Sequence, residues 1–232
     1  ICMRPCAAWM RVLRAWGRMT DKLYVWDYTT NFREYISPFP NVLALRGNVR
    51  LFRDNGVVGL FEQGAYQGRH GDFAELKAWL LAKWLWDPER SAGPLLEDFF
   101  SGYYGAAAPI IRGYFDELHG FHGDPAGKPL RIFDDIRTSA IPDEFLVRAV
   151  RMWAEAEIAV KDSPPHGHNV RMGAIPALYA RLMRLPPHDE IGVWVTENPG
   201  LYDVPPERRA LAKELLARFG EGKNVRISES LE

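Results

Sequence analysis

An α/β unit followed by an all-helical region is the fold class that three features of the sequence predict. Two short apolar runs, Leu23-Tyr24-Val25-Trp26 and Val57-Val58-Gly59-Leu60-Phe61, each close on a carboxylate, Asp27 and Glu62. Between them Asn41 to Asn55 carries a helical pattern that ends at the turn signal Asp54-Asn55-Gly56. From Leu95 onward the apolar spacing is helical over most of the remaining chain. Short β-branched and aromatic runs bounded by turn residues read as strands, and apolar runs without alternation imply strands covered on both faces. Strand, crossover helix and strand then make a right-handed unit with parallel strands.

Taken in order, Pro5 to Arg18 places Ala8, Val12, Leu13 and Trp16 at helical spacing, with Pro5 suited to a first turn and Gly17 to an end. After Glu62 a Gly-rich polar loop, Gly64 to Gly71, leads to Asp72 as a helix cap with Glu75 three residues on. The helix expected from Phe73 to Trp86 is apolar nearly all round, interrupted mainly by Lys77 and Lys83, which implies burial on more than one side; Pro88 stops it. Leu95 to Tyr104 and Ala106 to His119 read as one long or kinked helix around Gly105 and Pro109. A Gly-, Pro- and Asp-rich loop from Gly120 to Ser139 precedes a helix from Pro142 to about Lys161, and Asn169 to Leu185 makes another. Pro186 to Pro206 reads as irregular, with a short strand at Val193-Trp194-Val195. Pro205 or Pro206 opens a last amphipathic helix carrying Leu211, Ala212, Leu215 and Phe219. The expected division is an α/β unit over 1–90 and a helical domain over 91–232.

Composition sets outer limits. The chain has 232 residues, 47% of them apolar, enough for one or two packed domains, and its formal net charge of −1 argues against a nucleic-acid surface. No apolar stretch is long enough to span a membrane and no basic, apolar leader is visible. The first residue is Ile1, so the expectation is a piece of a longer protein, and the absence of a leader here leaves its compartment hidden.

Parallel strands carry their chemistry at their C-terminal ends, which puts Asp27 and Glu62 on one rim. Glycoside hydrolysis needs two carboxyl groups flanking a bond, and flat side chains beside them suit a sugar ring. Asp27 and Glu62 are the catalytic candidates. Trp26, Tyr28, Gln63 and Tyr66 are the substrate-binding candidates, with Phe32 as further flat surface. The plain alternatives are that Asp27 caps the turn Tyr28 to Asn31, that Trp26 is core, and that Gln63 and Tyr66 only hold their loop. Glu62 is harder to explain that way, because an acid directly after a buried apolar run must be paired, hydrated or functional. No metal or cofactor is called for. Cys2 and Cys6 would share a helix face but lack two further zinc ligands. His166-Gly167-His168 reads as a turn, Asp134-Asp135 lacks the spaced oxygen ligands of a calcium loop, and His70 reads as a solvated loop residue. No phosphate loop and no Gly-x-Ser-x-Gly turn occurs.

The residues VWDYTTNF, PFPN, NGVVGLFEQGAYQG, ELKAWLLAKWLWDP and FFSGYYGAAAPIIRGYFDELH together resemble the C-terminal part of the bacterial domain-of-unknown-function 4838 family, over residues 5 to about 185. That family looks like a relative of α-glucuronidase- and hexosaminidase-type glycoside hydrolases. The resemblance implies a (β/α)8 barrel followed by a helical domain, so that this chain holds the last two βα units of a TIM-like barrel. Two strands cannot close such a barrel, which takes about eight, and the fragment alone would be inactive with an exposed apolar edge. It further implies a glycan substrate, Asp27 and Glu62 on the water-activating side, a general acid upstream of Ile1, and a secreted or periplasmic setting. The alternative is a non-catalytic carbohydrate-binding or interaction module; the Trp and Tyr content of the helical domain also suits oligomerisation.

Overall fold

The computed structural model describes residues 7–66, 71–121, 130–185 and 206–221. Cys2, Cys6, His70 and the strand expected at 193–195 lie outside them. Helix α1 (Ala7–Met19) leads to strand β1 (Leu23–Tyr28), helix α2 (Val42–Asp54), strand β2 (Val57–Gln63) and helix α3 (Ala74–Trp86). There follow α4 (Ala92–Tyr104), α5 (Ala108–Gly120), α6 (Asp143–Ala159), α7 (Pro164–Gly173), α8 (Ile175–Arg184) and α9 (Pro206–Glu221).

The two strands pair in parallel, as the crossover requires, with Val25 opposite Leu60, Trp26 opposite Phe61, Asp27 opposite Glu62 and Tyr28 opposite Gln63. Alternation along a strand sorts these pairs onto two faces. Val25, Leu60, Asp27 and Glu62 share the face toward α2 and α3, where Leu60 packs on the core. Tyr24, Trp26 and Phe61 lie on the other face and are exposed. The sequence implied strands covered on both faces; in this two-stranded sheet Tyr24, Trp26 and Phe61 leave one face open. The fold is thus a small parallel sheet in a mainly helical molecule.

Helix α1 crosses close to the end of α2: a Cβ on Gly17 would stand 2.5 Å from the Asn55 carbonyl oxygen, so glycine alone fits that crossing. The Asn55-Gly56 turn returns the chain to β2 with Gly56 at φ 82°, a left-handed conformation that glycine adopts freely. Helices α4 and α5 are separate, divided by a 3-10 turn over Gly105–Ala107 in which Gly105 has φ 55°. The expected helix from Asn169 is two helices, α7 and α8, and α7 begins five residues earlier than expected. Pro164 and Pro165 occupy its first positions, where the missing N–H is no loss, so Pro-Pro-His-Gly-His is helix and not a turn.

The core lies between α3 and the following helices. Trp84, Phe100, Phe115 and Phe145 are fully buried, Tyr114 stacks on Phe145 at 5.6 Å, and Trp153 meets Tyr114 edge-on at 5.4 Å. Helix α3 is less enclosed than its apolar sequence implied: Leu76, Leu80, Leu81 and Trp84 are buried, whereas Leu85 and Trp86 are exposed. Helix α9 is pinned by Leu211 and Leu215 and by Arg218, which donates to the Arg171 carbonyl at 2.7 Å and pairs with Glu157 and Glu214.

What joins the sheet to the helices is the connection from Thr29 to Asn41, which is almost wholly buried. Phe32 N–H donates to the Ile132 carbonyl at 2.6 Å, the Asn31 amide to the Asp134 carbonyl at 2.7 Å, and Ile136 N–H to Glu34 Oε2 at 3.1 Å. Asp134-Asp135 therefore serves this junction. Asp135 accepts from Arg137 and Arg33, and Arg137 above all holds its carboxyl down to about 2. Among the described residues no group of three or more His, Cys, Asp or Glu gathers as a metal site, and no helix is long and apolar enough to cross a membrane.

Candidate functional site

Asp27 and Glu62 are cross-strand partners on one face, at the C-terminal ends of both strands. Partnered strands run about 4.8 Å apart, so the two carboxyl groups are close neighbours. Asp27 is 1% exposed; its Oδ1 accepts from Tyr28 N–H at 2.7 Å, while Oδ2 is buried without a hydrogen-bond partner. Burial pushes its pKa up, opposed by the Tyr28 N–H and more weakly by the Asn48 side chain on α2. Glu62 is half-buried, and its Oε2 is also without a partner. Desolvation first, then the charge of Asp27, push Glu62 up to about 7. Two neighbouring carboxyls in a poorly solvated place cannot both ionise cheaply, and Glu62 is the one pushed up by the charge of the other.

Glu62 looks into a cavity of about 150 Å³ between the strand ends and α3, lined also by Thr29, Thr30, Gly64, Ala65, Gly71, Asp72, Ala74, Lys77, Ala78 and Leu81. It opens to solvent beside Ala78, which is exposed. Its polar lining makes it a place for hydrogen-bonding occupants.

The expected helix cap at Asp72 is not made. Phe73 takes the cap position in a left-handed conformation, φ 48°, with no side-chain cap bond. Asp72 is instead drawn inside, because the backbone of Phe39 and the Lys77 ammonium offer its carboxylate better partners than the first turn of α3. Its Oδ2 accepts from Phe39 N–H at 3.0 Å and lies 3.7 Å from Lys77 Nζ, which donates to the Phe39 carbonyl at 3.0 Å. The ion pair thereby grips both backbone groups of one residue in the Ser37-Pro38-Phe39-Pro40 turn. Lys77 is 4% exposed, and burial lowers its pKa to about 8 against the opposing pull of Asp72. A non-glycine residue held at positive φ beside a buried ion pair marks a place where the surrounding fold enforces a geometry that local preference opposes.

The substrate-binding candidates fall elsewhere. Trp26 is 61% exposed on the open face, meets Phe61 edge-on at 4.7 Å, and donates its indole N–H to Gln63 Oε1 at 2.7 Å. Tyr28 is on that face too, edge-on to Phe32 at 5.3 Å. Tyr66 is exposed in the loop after β2. Trp26, Tyr28 and Gln63 therefore assemble together, but with the sheet between them and the carboxyl pair. Asp72, Lys77, Thr29 and Thr30 were missed as site residues. The available signal for Lys77 was its position three, four and seven residues before Leu80, Leu81 and Trp84, which puts it on the buried stripe of α3.

An α/β unit with two strand-end carboxyls, backed by a helical layer, is the class that this geometry defines. Residues 3–116 match the model of a family described as Domain of unknown function (DUF4838), and this part of the chain belongs to that family. No curated protein and no solved structure matches the chain.

Proposed function

We propose that the chain contributes part of the site of a glycan-hydrolysing protein of the two-carboxylate, glycoside-hydrolase type. The observation that carries this reading is the in-register pairing of Asp27 with Glu62 at the strand ends, with Glu62 pushed up to about 7. A carboxylate of that basicity is a far better proton acceptor at neutral pH than an ordinary one, which suits the activation of water. Glu62 reaches the cavity and is the group to meet a reacting water; Asp27, buried behind it, raises its basicity. The general acid would come from a segment preceding Ile1, as the family resemblance implies. On this reading the α/β unit, 1–90, is the closing part of a (β/α)8 barrel and 91–232 a separate helical domain. The two-stranded sheet with its open aromatic face is what supports that architecture.

The test is Glu62→Gln in the full-length protein, assayed against a panel of glycans. Turnover should fall by about 100-fold or more while the circular dichroism spectrum stays unchanged. Undiminished turnover removes Glu62 from the mechanism.

A second reading, a carbohydrate-binding module that does not cleave, is favoured by the open face, where Gln63 fixes the exposed Trp26 ring beside Phe61. Rigid aromatic surface with one polar handle suits a sugar ring. Trp26→Ala should then weaken glycan binding by about tenfold. Equal affinity of the variant in a titration would reject that surface as the binding site.

A further inference from the structure

Most of the cavity beside Glu62 plays no part in the chemistry proposed above, and its walls are of two kinds. Helix α3 presents Ala74, Ala78 and Leu81 to it, one turn apart along a single stripe. The two alanines leave room that any larger apolar side chain would take up. Glu62, Asp72 and Lys77 make the polar wall. The Lys77 charge is already answered by Asp72 at 3.7 Å and by the Phe39 carbonyl at 3.0 Å, so little is left to hold an anion. Glu62, with Oε2 unpartnered, calls for a hydrogen-bond donor, and the alanine wall calls for carbon.

We propose that this cavity binds a small neutral polyol, its hydroxyls on Glu62, Asp72 and Lys77 and its carbon edge on Ala74, Ala78 and Leu81. A volume of about 150 Å³ takes a guest of about six non-hydrogen atoms, the size of glycerol. The inference shares Glu62 and this cavity with the hydrolytic reading and goes beyond it in naming a guest, whose binding needs no bond to break.

The experiment is saturation-transfer NMR on the full-length protein, with glycerol and erythritol as probes, for wild type and Ala78→Val. Wild type should give saturable transfer from glycerol with roughly millimolar affinity, as befits so few atoms. Ala78→Val fills the space and should weaken binding by about tenfold or more while the melting temperature is kept or raised. Absence of saturable transfer up to about 100 mM, or equal transfer in the folded valine variant, overturns the proposal. If Ala78→Val does not fold, Ala74→Val carries the test, filling the same apolar wall one turn earlier. Weaker glycerol transfer in that variant upholds the site and unchanged transfer refutes it. The hydrolytic assay of Glu62→Gln is read separately, so failure of either result leaves the other standing.

Discussion

Asp72→Ala should destabilise the folded chain by about 3–5 kcal/mol, the usual cost of stranding one member of a buried ion pair. Lys77 is the reason. With 4% of its surface exposed, it has Asp72 as its only counter-charge within 4.0 Å among the described residues. Removing the carboxylate also orphans Phe39 N–H, which donates to it at 3.0 Å. The double replacement Asp72→Leu with Lys77→Met should recover much of that loss, because paired apolar residues of similar size are often as stable as a buried ion pair. Urea denaturation of wild type, Asp72→Leu, Lys77→Met and the double variant gives the coupling directly. Additive single effects would show that the two side chains do not act as a pair.

Glu62→Gln should alter how stability depends on pH, with a sign opposite to that of a salt-bridged carboxylate. The folded-state value of about 7 lies above the ordinary 4.5, so between them the native chain binds more protons than the unfolded chain. The contribution of Glu62 is therefore fully present below pH 4.5 and is lost as pH rises through about 7. A full shift of that size would be worth about 3 kcal/mol, and partial exposure reduces it to about 2. The neutral glutamine escapes this loss: the variant should match wild type at pH 4 and exceed it by about 2 kcal/mol at pH 8. Glu34 titrates in both proteins and cancels, so the difference curve reports Glu62 together with its coupling to Asp27. Parallel curves across that range would show that the Glu62 carboxyl is not perturbed. A glutamine variant that is more stable yet inactive would also be the pattern expected of a group kept for function at a cost to the fold.

The parts of this molecule that follow local rules were legible in the sequence. The strand runs, the parallel crossover and the Asn55-Gly56 turn all follow from residues within a few positions of one another. The candidate site was less so. Asp72 in front of an apolar helix has every local mark of a cap, and only the presence of Phe39, 33 residues away, draws it inside. Lys77 read as an interruption of an apolar face because periodicity records which side a residue occupies and not whether a partner waits there. The connection Thr29 to Asn41 mixes polar and turn residues with Phe32, Tyr35, Ile36 and Phe39, a pattern without helix or strand period. It is buried because its polar groups are satisfied within it, as when Asn31 Oδ1 accepts from Arg33 and Glu34 N–H, or by a segment some hundred residues on. The opposite placement of Trp26 and Asp27 was implicit in strand alternation, but alternation alone does not say which face is covered.

That buried connection also sets an order of events in time. Asn31 and Asp134 are 103 positions apart, and Glu34 and Ile136 are 102 apart. At about 5–20 residues per second, ribosomal synthesis separates the two halves of the junction by roughly 5–20 s. Helices form in microseconds, so the strands and α2 wait, with Phe32 N–H, the Asn31 amide and the Glu34 carboxylate of their connection lacking their final partners, for residues 130–136 to arrive. The connection that follows the first acid thus acquires its final surroundings well after the strands it joins, and a nascent chain released before residue 136 carries both acids with the Asn31 amide and the Glu34 carboxylate still waiting for Asp134 and Ile136.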